Sequence, residues 1–237
     1  MGARFCLPAL LAGALCSGAT VAHADPVGGA RAEPVGSQLP HVQASLGVRV
    51  SKVADAGFDP FADSDELVQV SLGLGATLFR HQRWSLAAVG FWDYGERSST
   101  ARGSATSLDV HRLTVGPELR YQLLTPLYLF AHALPAFAHT QASLEDNVAG
   151  VPRYARDWSY GVEGAAGAAF EVYGMRSSAV FRPRLWAIAE GGYGYLGSSR
   201  LLLSPDSGEG PQRTSAVDLG SVSLSGPYLR VSAALSF

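Results

Sequence analysis

Four residues near the middle of the chain could do hydrolytic chemistry together. His111 and His139 could act as bases, Asp109 could orient an imidazole, and Ser143 could supply a hydroxyl nucleophile. Such a set serves acyl transfer only if its members come within hydrogen-bond reach of one another. With a turn at Thr125-Pro126, residue 111 falls beside residue 140, so the two histidines are expected to be neighbours. A second set is the acidic run Asp55, Asp59, Asp63, Asp65 and Glu66, which contains no basic residue. Oxygen-rich loops can hold Ca²⁺, but this spacing matches no EF-hand and lacks its central glycine. It reads as a solvated, interaction-ready loop, and no metal is expected. Gly161, Gly164, Gly167 and Gly191-Gly192 are not phosphate cradles, because they lie inside strand patterns with no helix after them. They read as positions that ease curvature or make room for large neighbours. No cofactor is expected.

The elements that must position these residues are strands. From 227 to 237 the odd positions are Pro, Leu, Val, Ala, Leu and Phe, and the even ones Tyr, Arg, Ser, Ala and Ser. That is the period-two alternation of a strand with two unlike faces. Alternation of this kind marks eight segments, near 41–53, 67–81, 84–95, 107–124, 127–143, 158–173, 179–197 and 216–237. Their connections alternate in length. Long loops are expected at 54–66, 96–106, 144–157 and 198–215, and short turns near Gln82, at Thr125-Pro126 and at 174–178. Four long loops, three short turns and both termini on the turn side fit an all-β, eight-stranded antiparallel up-and-down barrel that crosses a membrane. The third segment is apolar on both faces. The last reads as changing phase, since Val222 and Leu224 are even whereas Leu229 to Phe237 are odd, and a bulge at Gly226-Pro227 would restore it.

Residues 1–24 hold one cation, Arg4, an apolar stretch over 5–15 and then Ala22-His23-Ala24 before Asp25. This is a secretory signal with cleavage expected after Ala24; the apolar run falls short of the roughly 18 residues that span a bilayer. A lipoprotein signal would use Cys16 as its acyl acceptor, but Leu15 is too bulky for the position before it, which leaves lipidation a minor alternative. Residues 25–40 form a Gly/Pro/Ala spacer, expected to be a flexible periplasmic lead-in, and 41–237 form the barrel. Both cysteines, Cys6 and Cys16, lie in the signal, which leaves no thiol chemistry to the remainder. Beyond residue 24 there are 17 basic and 20 acidic residues, with no basic stripe for nucleic acid.

One face of each strand is apolar enough for lipid, and aromatics such as Trp92, Tyr94, Trp158, Tyr160, Tyr193, Tyr195 and Phe237 gather toward segment ends, where interfacial girdles sit. The other face then turns inward. It carries Arg49, Arg112, Glu118, Arg120, Glu163, Glu171, Arg182, Arg184, Glu190 and Arg230. Eight strands enclose a space that side chains can just fill, so these charges need partners. Glu171 is expected diagonally across from Arg182. Glu163 and Glu190 are expected near one another, with an arginine from another strand between them. His132 falls opposite the lipid face of its strand, and His41 and His81 fall at the turn end.

In topology, signal and last strand the chain resembles the small bacterial outer-membrane β-barrels of the OmpA/OmpX type, grouped as the outer-membrane protein β-barrel domain family. The residues Leu229, Val231, Ala233, Leu235 and Phe237 resemble the strand by which such barrels are recognised for assembly. The resemblance implies an outer-membrane location with periplasmic termini, a Gram-negative source, and contact with outer-membrane lipids, lipopolysaccharide and the barrel assembly machinery. A monomer is expected, with an extracellular partner reached through the loops. No second, peptidoglycan-binding domain is expected after the barrel, so the wall-tethering role of larger relatives is not expected either. Lipid A deacylases place a His/Ser/acid set on a comparable outer surface, but their His-x-Ser-Asn pattern is missing: Thr140 and Gln141 follow His139. The leading expectation is a non-enzymatic, porin-like cell-envelope scaffold, plugged by its Arg/Glu interior and displaying four loops. The alternatives are a membrane-embedded enzyme acting on lipid A or phospholipid, and a narrow channel.

Overall fold

The computed structural model describes residues 39–101, 104–145, 153–174, 183–205 and 217–237. The expected signal with its expected cleavage residues Ala22 and Ala24, most of the expected spacer, the expected third turn and Arg182 lie outside them. The described residues form ten strands: β1 Val42–Lys52, β2 Glu66–His81, β3 Trp84–Ala101, β4 Ser104–Leu124, β5 Leu127–Glu145, β6 Arg153–Gly174, β7 Arg184–Leu196, β8 Ser199–Pro205, β9 Val217–Val222 and β10 Gly226–Ser236. Every pairing is antiparallel. The run β1 to β7 is sequential, β7 pairs with β10, and β10 pairs with β1, which closes a ring of eight staves. Closure leaves no free edge around the ring. The eight staves are those the alternation predicts, except that the last expected segment, 216–237, is split: its first part, β9, leaves the ring and pairs with β8, which is an addition.

Turn chemistry sets one end of the ring. Gln82, in the two-residue connection between β2 and β3, takes a left-handed φ of 51°. Thr125 and Pro126 connect β4 to β5. The opposite end carries the long connections, and there the structure departs from expectation. Most of 96–106 and part of 144–157 are strand: β3 and β4 stay paired from Trp84↔Tyr121 to Ala101↔Ser104, and β5 and β6 as far as Leu144↔Arg153. Residues 199–205 and 217–222 form a hairpin whose β8 pairs with β6 at Tyr154↔Ser204. The Ser/Thr content of these stretches reads as loop, yet Leu108, Val110, Ala142, Leu201 and Leu203 point inward and are buried. What covers them comes from far away in the chain. Phe58 and Phe61, in a connection built on a 3-10 turn Asp59–Phe61, drop into the mouth of the ring and pack with Leu67, Leu108, Leu201, Val222 and Leu224.

That apolar stopper also explains the even-numbered Val222 and Leu224. They share the inward parity of Tyr228, Arg230 and Ser232, so the phase never changes and no compensating bulge is needed. Ser223–Ser225 simply leave the ladder, and Gly226 re-enters it at φ 158°, where a Cβ would stand 1.9 Å from the Lys52 carbonyl oxygen. The first long connection is therefore not a freely solvated loop. Asp55 ties it down, accepting from Gly57 N at 2.8 Å and from Ser223 N at 3.0 Å.

The outside is apolar. Leu46, Val48, Val70, Leu72, Leu74, Leu113, Val115, Leu119, Val162, Leu229 and Val231 are all exposed, whereas most polar and charged side chains on the wall turn inward. Trp84 packs on Tyr121 at the turn end of β3, and Trp92 and Tyr94 stack farther along it, before its extension toward Ala101. From Trp84 to Tyr94 along a strand rising ~3.3 Å per residue and tilted by roughly 40° is about 25 Å, the height of the apolar band of membrane barrels.

Candidate functional site: the barrel interior and the outer histidine row

The interior at mid-height is a charge cluster assembled from seven of the eight staves. Arg49 on β1 donates from Nη1 to Glu163 on β6 at 2.7 Å and to Asp93 on β3 at 3.1 Å. Arg230 on β10 reaches Asp93 at 3.0 Å and Glu190 on β7 at 2.6 Å, and lies 3.7 Å from Glu163. It thus sits between the two glutamates. Arg112 on β4 stands 3.5 Å from Glu163 and donates to the Leu224 carbonyl at 3.2 Å. Toward the turn end, Arg120 pairs with Glu118 at 2.7 Å, and His132 on β5 stands 3.2 Å from the other oxygen of Glu118. All of these side chains are buried. Rings cushion the guanidinium groups: Arg49 lies 3.7 Å from the Tyr228 ring centre and Arg230 4.2 Å from that of Phe91.

Two glycines make room for the large members. A Cβ on Gly167 would stand 2.5 Å from Phe130, and one on Gly192 would stand 2.8 Å from Tyr228. Among the described residues the mid-barrel cluster holds four arginines (49, 112, 120, 230) against four carboxylates (93, 118, 163, 190). The balance depends on Asp93, which sequence reasoning missed. Its strand is apolar on both faces, so neither face announces itself as inward. The usable signal was its position between Trp92 and Tyr94: if those two belong to the outer girdle, the residue between them must point in.

Glu171 and Arg184 do not join this cluster. They pair at 3.5 Å near the turn end, about one-fifth exposed. Arg182, the expected partner of Glu171, lies outside the described residues. A cavity of about 30 Å³ remains below the cluster, lined by Gln43, Ser45, Glu118, Arg120, Tyr128 and Ser232, among others. It has room for about one water molecule.

The four hydrolytic candidates all lie on the outward face near the loop end. His111 pairs with His139 rather than with residue 140, because an irregularity at Gln122/Leu124 shifts the register by one. The pair belongs to a row of rings across four strands, Tyr94, His111, His139 and Trp158, with His111 and His139 ring centres 6.4 Å apart. Asp109 lies beside Gln141, one outward position along. Ser143 hydrogen-bonds Ser107 at 2.7 Å. Four residues separate Ser143 from His139, about 13 Å at ~3.3 Å per residue. The structure therefore brings the two histidines together but not a nucleophile with its base.

Of the other histidines, His41 and His81 lie at the turn end. Burial, and then the nearby Arg80, lower the proton affinity of His41. On the β8–β9 hairpin, a hydrogen bond from Arg200 holds the Asp218 carboxyl below the usual range. Among the described residues no three His, Cys, Asp or Glu side chains converge as a metal site would require.

No protein-family model and no curated protein sequence matches the chain. Solved structures of similar shape include Ail, the attachment invasion locus protein of Yersinia pestis. In complex with the heparin analogue sucrose octasulfate it is 14% identical, with a TM-score of 0.45, covering 83% of this chain and 97% of that one. A second Ail structure is 11% identical, TM-score 0.45, covering 84% and 99%. Neisserial surface protein A is 12% identical, TM-score 0.46, covering 83% and 97%. The fold assignment stands on the chain's own hydrogen-bonded ring. With eight antiparallel staves in up-and-down order, apolar outside and charged inside, this chain has the fold of the small outer-membrane β-barrels.

Proposed function

We propose that the protein is an integral outer-membrane barrel whose sealed interior makes it a rigid, non-enzymatic scaffold for the structure at its loop end. The observation that carries this is the inversion of burial: arginines and carboxylates lie inside a wall whose exterior is valine, leucine and aromatic side chains. A water-soluble barrel would place them the other way round. The secretory signal at 1–24 agrees with this location. Periplasmic termini follow from placing the short turns on that side, as in barrels of this kind. Four salt-bridged arginines and their partners cross the lumen, which favours a plug over a pore. The separation of Ser143 from His139 favours a headgroup-level polar belt over a lipid-modifying enzyme.

The surface on offer is an ordered one. The extended wall of β3 to β6, the β8–β9 hairpin and the strap carrying Phe58 and Phe61 would present a fixed shape to an extracellular partner.

Substitution at two outward positions of one barrel tests the location. Val115 lies midway between the Tyr121 and His111 rows of β4, whereas Ser98 lies on the extension of β3. Val115→Arg is expected to cost about 2–4 kcal/mol in vesicle refolding titrations, and Ser98→Arg between 0 and about 1 kcal/mol. Equal tolerance at both, with the protein folded in water, would contradict a membrane location.

A further inference from the structure

The turn end of the ring is closed as well, and by a piece of chain that belongs to no strand. Leu39 precedes β1, yet it is 2% exposed. It packs inside the ring against Tyr128, Phe130, Ala169, Trp186 and Ala234. Burial of a leucine in that position requires the chain to bend across the mouth before β1 begins. Polar contacts fix the bend: Thr77 Oγ1 donates to the Pro40 carbonyl, and Arg80 donates to the Leu39 carbonyl. The Thr77 amide also donates to the His41 carbonyl at 2.7 Å. Trp186 is held in place beneath by a hydrogen bond from Nε1 to Ser236 Oγ at 2.8 Å.

Tyr128 and Phe130 also line the small cavity, together with Gln43, Ser45, Glu118, Arg120 and Ser232. The cavity therefore lies between the apolar Leu39 cluster and the ion pairs. The cluster at Phe58 and Phe61 closes the other mouth, beyond those ion pairs.

We propose that residues 39–41 act as a detachable stopper over the small cavity of the lower lumen, which opens from the turn side when Leu39 withdraws. The asymmetry of the two seals supports this. The loop-end stopper is built from fifteen buried residues of several strands and connections. Among the described residues the turn-end cluster is smaller, six buried residues, and Leu39 is its one member outside the strands, on a segment joined to the barrel wall by a few hydrogen bonds. Withdrawing Leu39 alone breaks no strand pairing among the described residues. Solvent or a small solute would then reach Glu118, Arg120 and Ser232 from the turn end, while the Arg49–Asp93–Arg230 layer above still separates the cavity from the loop side.

The test uses the chain from Asp25 onward, which has no cysteine, with Ser232→Cys as its single thiol and the barrel refolded in micelles. Modification by a small cationic methanethiosulfonate reagent is timed, with heat-modifiable migration as the check that each variant is folded. The stopper predicts slow labelling of the parent and at least tenfold faster labelling after Leu39→Asp. Thr77→Val with Arg80→Gln keeps Leu39 but removes the two side-chain hydrogen bonds to its segment, and should also accelerate labelling; it serves if Leu39→Asp prevents folding. Phe58→Asp, at the other mouth, should leave the rate unchanged. Equal rates in the parent and the turn-end variants, whether fast or slow, would overturn the proposal. So would acceleration by Phe58→Asp matching that of the turn-end variants.

Discussion

Asp93→Asn is expected to destabilise the barrel by about 3–5 kcal/mol, the usual cost of leaving buried charge without its partner. Asp93 is the carboxylate shared by Arg49 and Arg230, at 3.1 and 3.0 Å. Without it, four mid-barrel guanidinium groups face three carboxylates in a space closed to water at both ends. A second substitution, Arg49→Gln, restores equal numbers and should recover part of the loss, with a coupling of about 0.5–3 kcal/mol. Denaturant titration of vesicle-refolded protein measures both. Additive losses would mean that the cluster is a set of independent pairs. By contrast, Glu171→Gln should cost less than 1 kcal/mol or so, because the Glu171–Arg184 pair is partly exposed.

Phe61→Ala carries the other large effect. The side chain is fully buried in the mouth of the ring, and deleting a buried phenylalanine typically costs about 3–5 kcal/mol. If the connection between β1 and β2 were the solvated acidic loop that its composition suggests, the same change would fall within roughly 0.5 kcal/mol of zero. The two outcomes are well separated in one titration. Asp55→Ala should act in the same direction but more weakly, since it removes two hydrogen bonds worth about 1 kcal/mol each.

What could be read from the residues alone follows from which contacts are local. The alternation in β2, β4, β6 and β10 is a property of each strand by itself, so eight staves and the inward Arg and Glu positions were legible. Asp93 was obscured because Ala87, Val89 and Phe91 make the inward face of β3 as apolar as its outward face. The extended wall reads as loop from the sequence because inward residues such as Ala142 and Leu203 are justified by Phe58 and Phe61, far away in the chain. The same long-range contact accounts for Val222 and Leu224, which looked like a change of phase but are inward residues under an apolar cover. The histidine row was legible to within one residue, the error being the irregularity at Gln122/Leu124. No local pattern signals that Leu39 turns into the mouth, since a single leucine before a strand carries no period.

The most direct test of the central claim, a lipid-facing wall around a sealed, charge-balanced interior, is the conductance of the wild-type protein in planar bilayers after insertion from proteoliposomes shown to hold the folded, heat-modifiable form. A plugged lumen predicts a baseline indistinguishable from protein-free membrane, with transient openings appearing only when a member such as Asp93 is removed. Steady, ion-selective current through the wild type would contradict it and make the interior charges the lining of a channel.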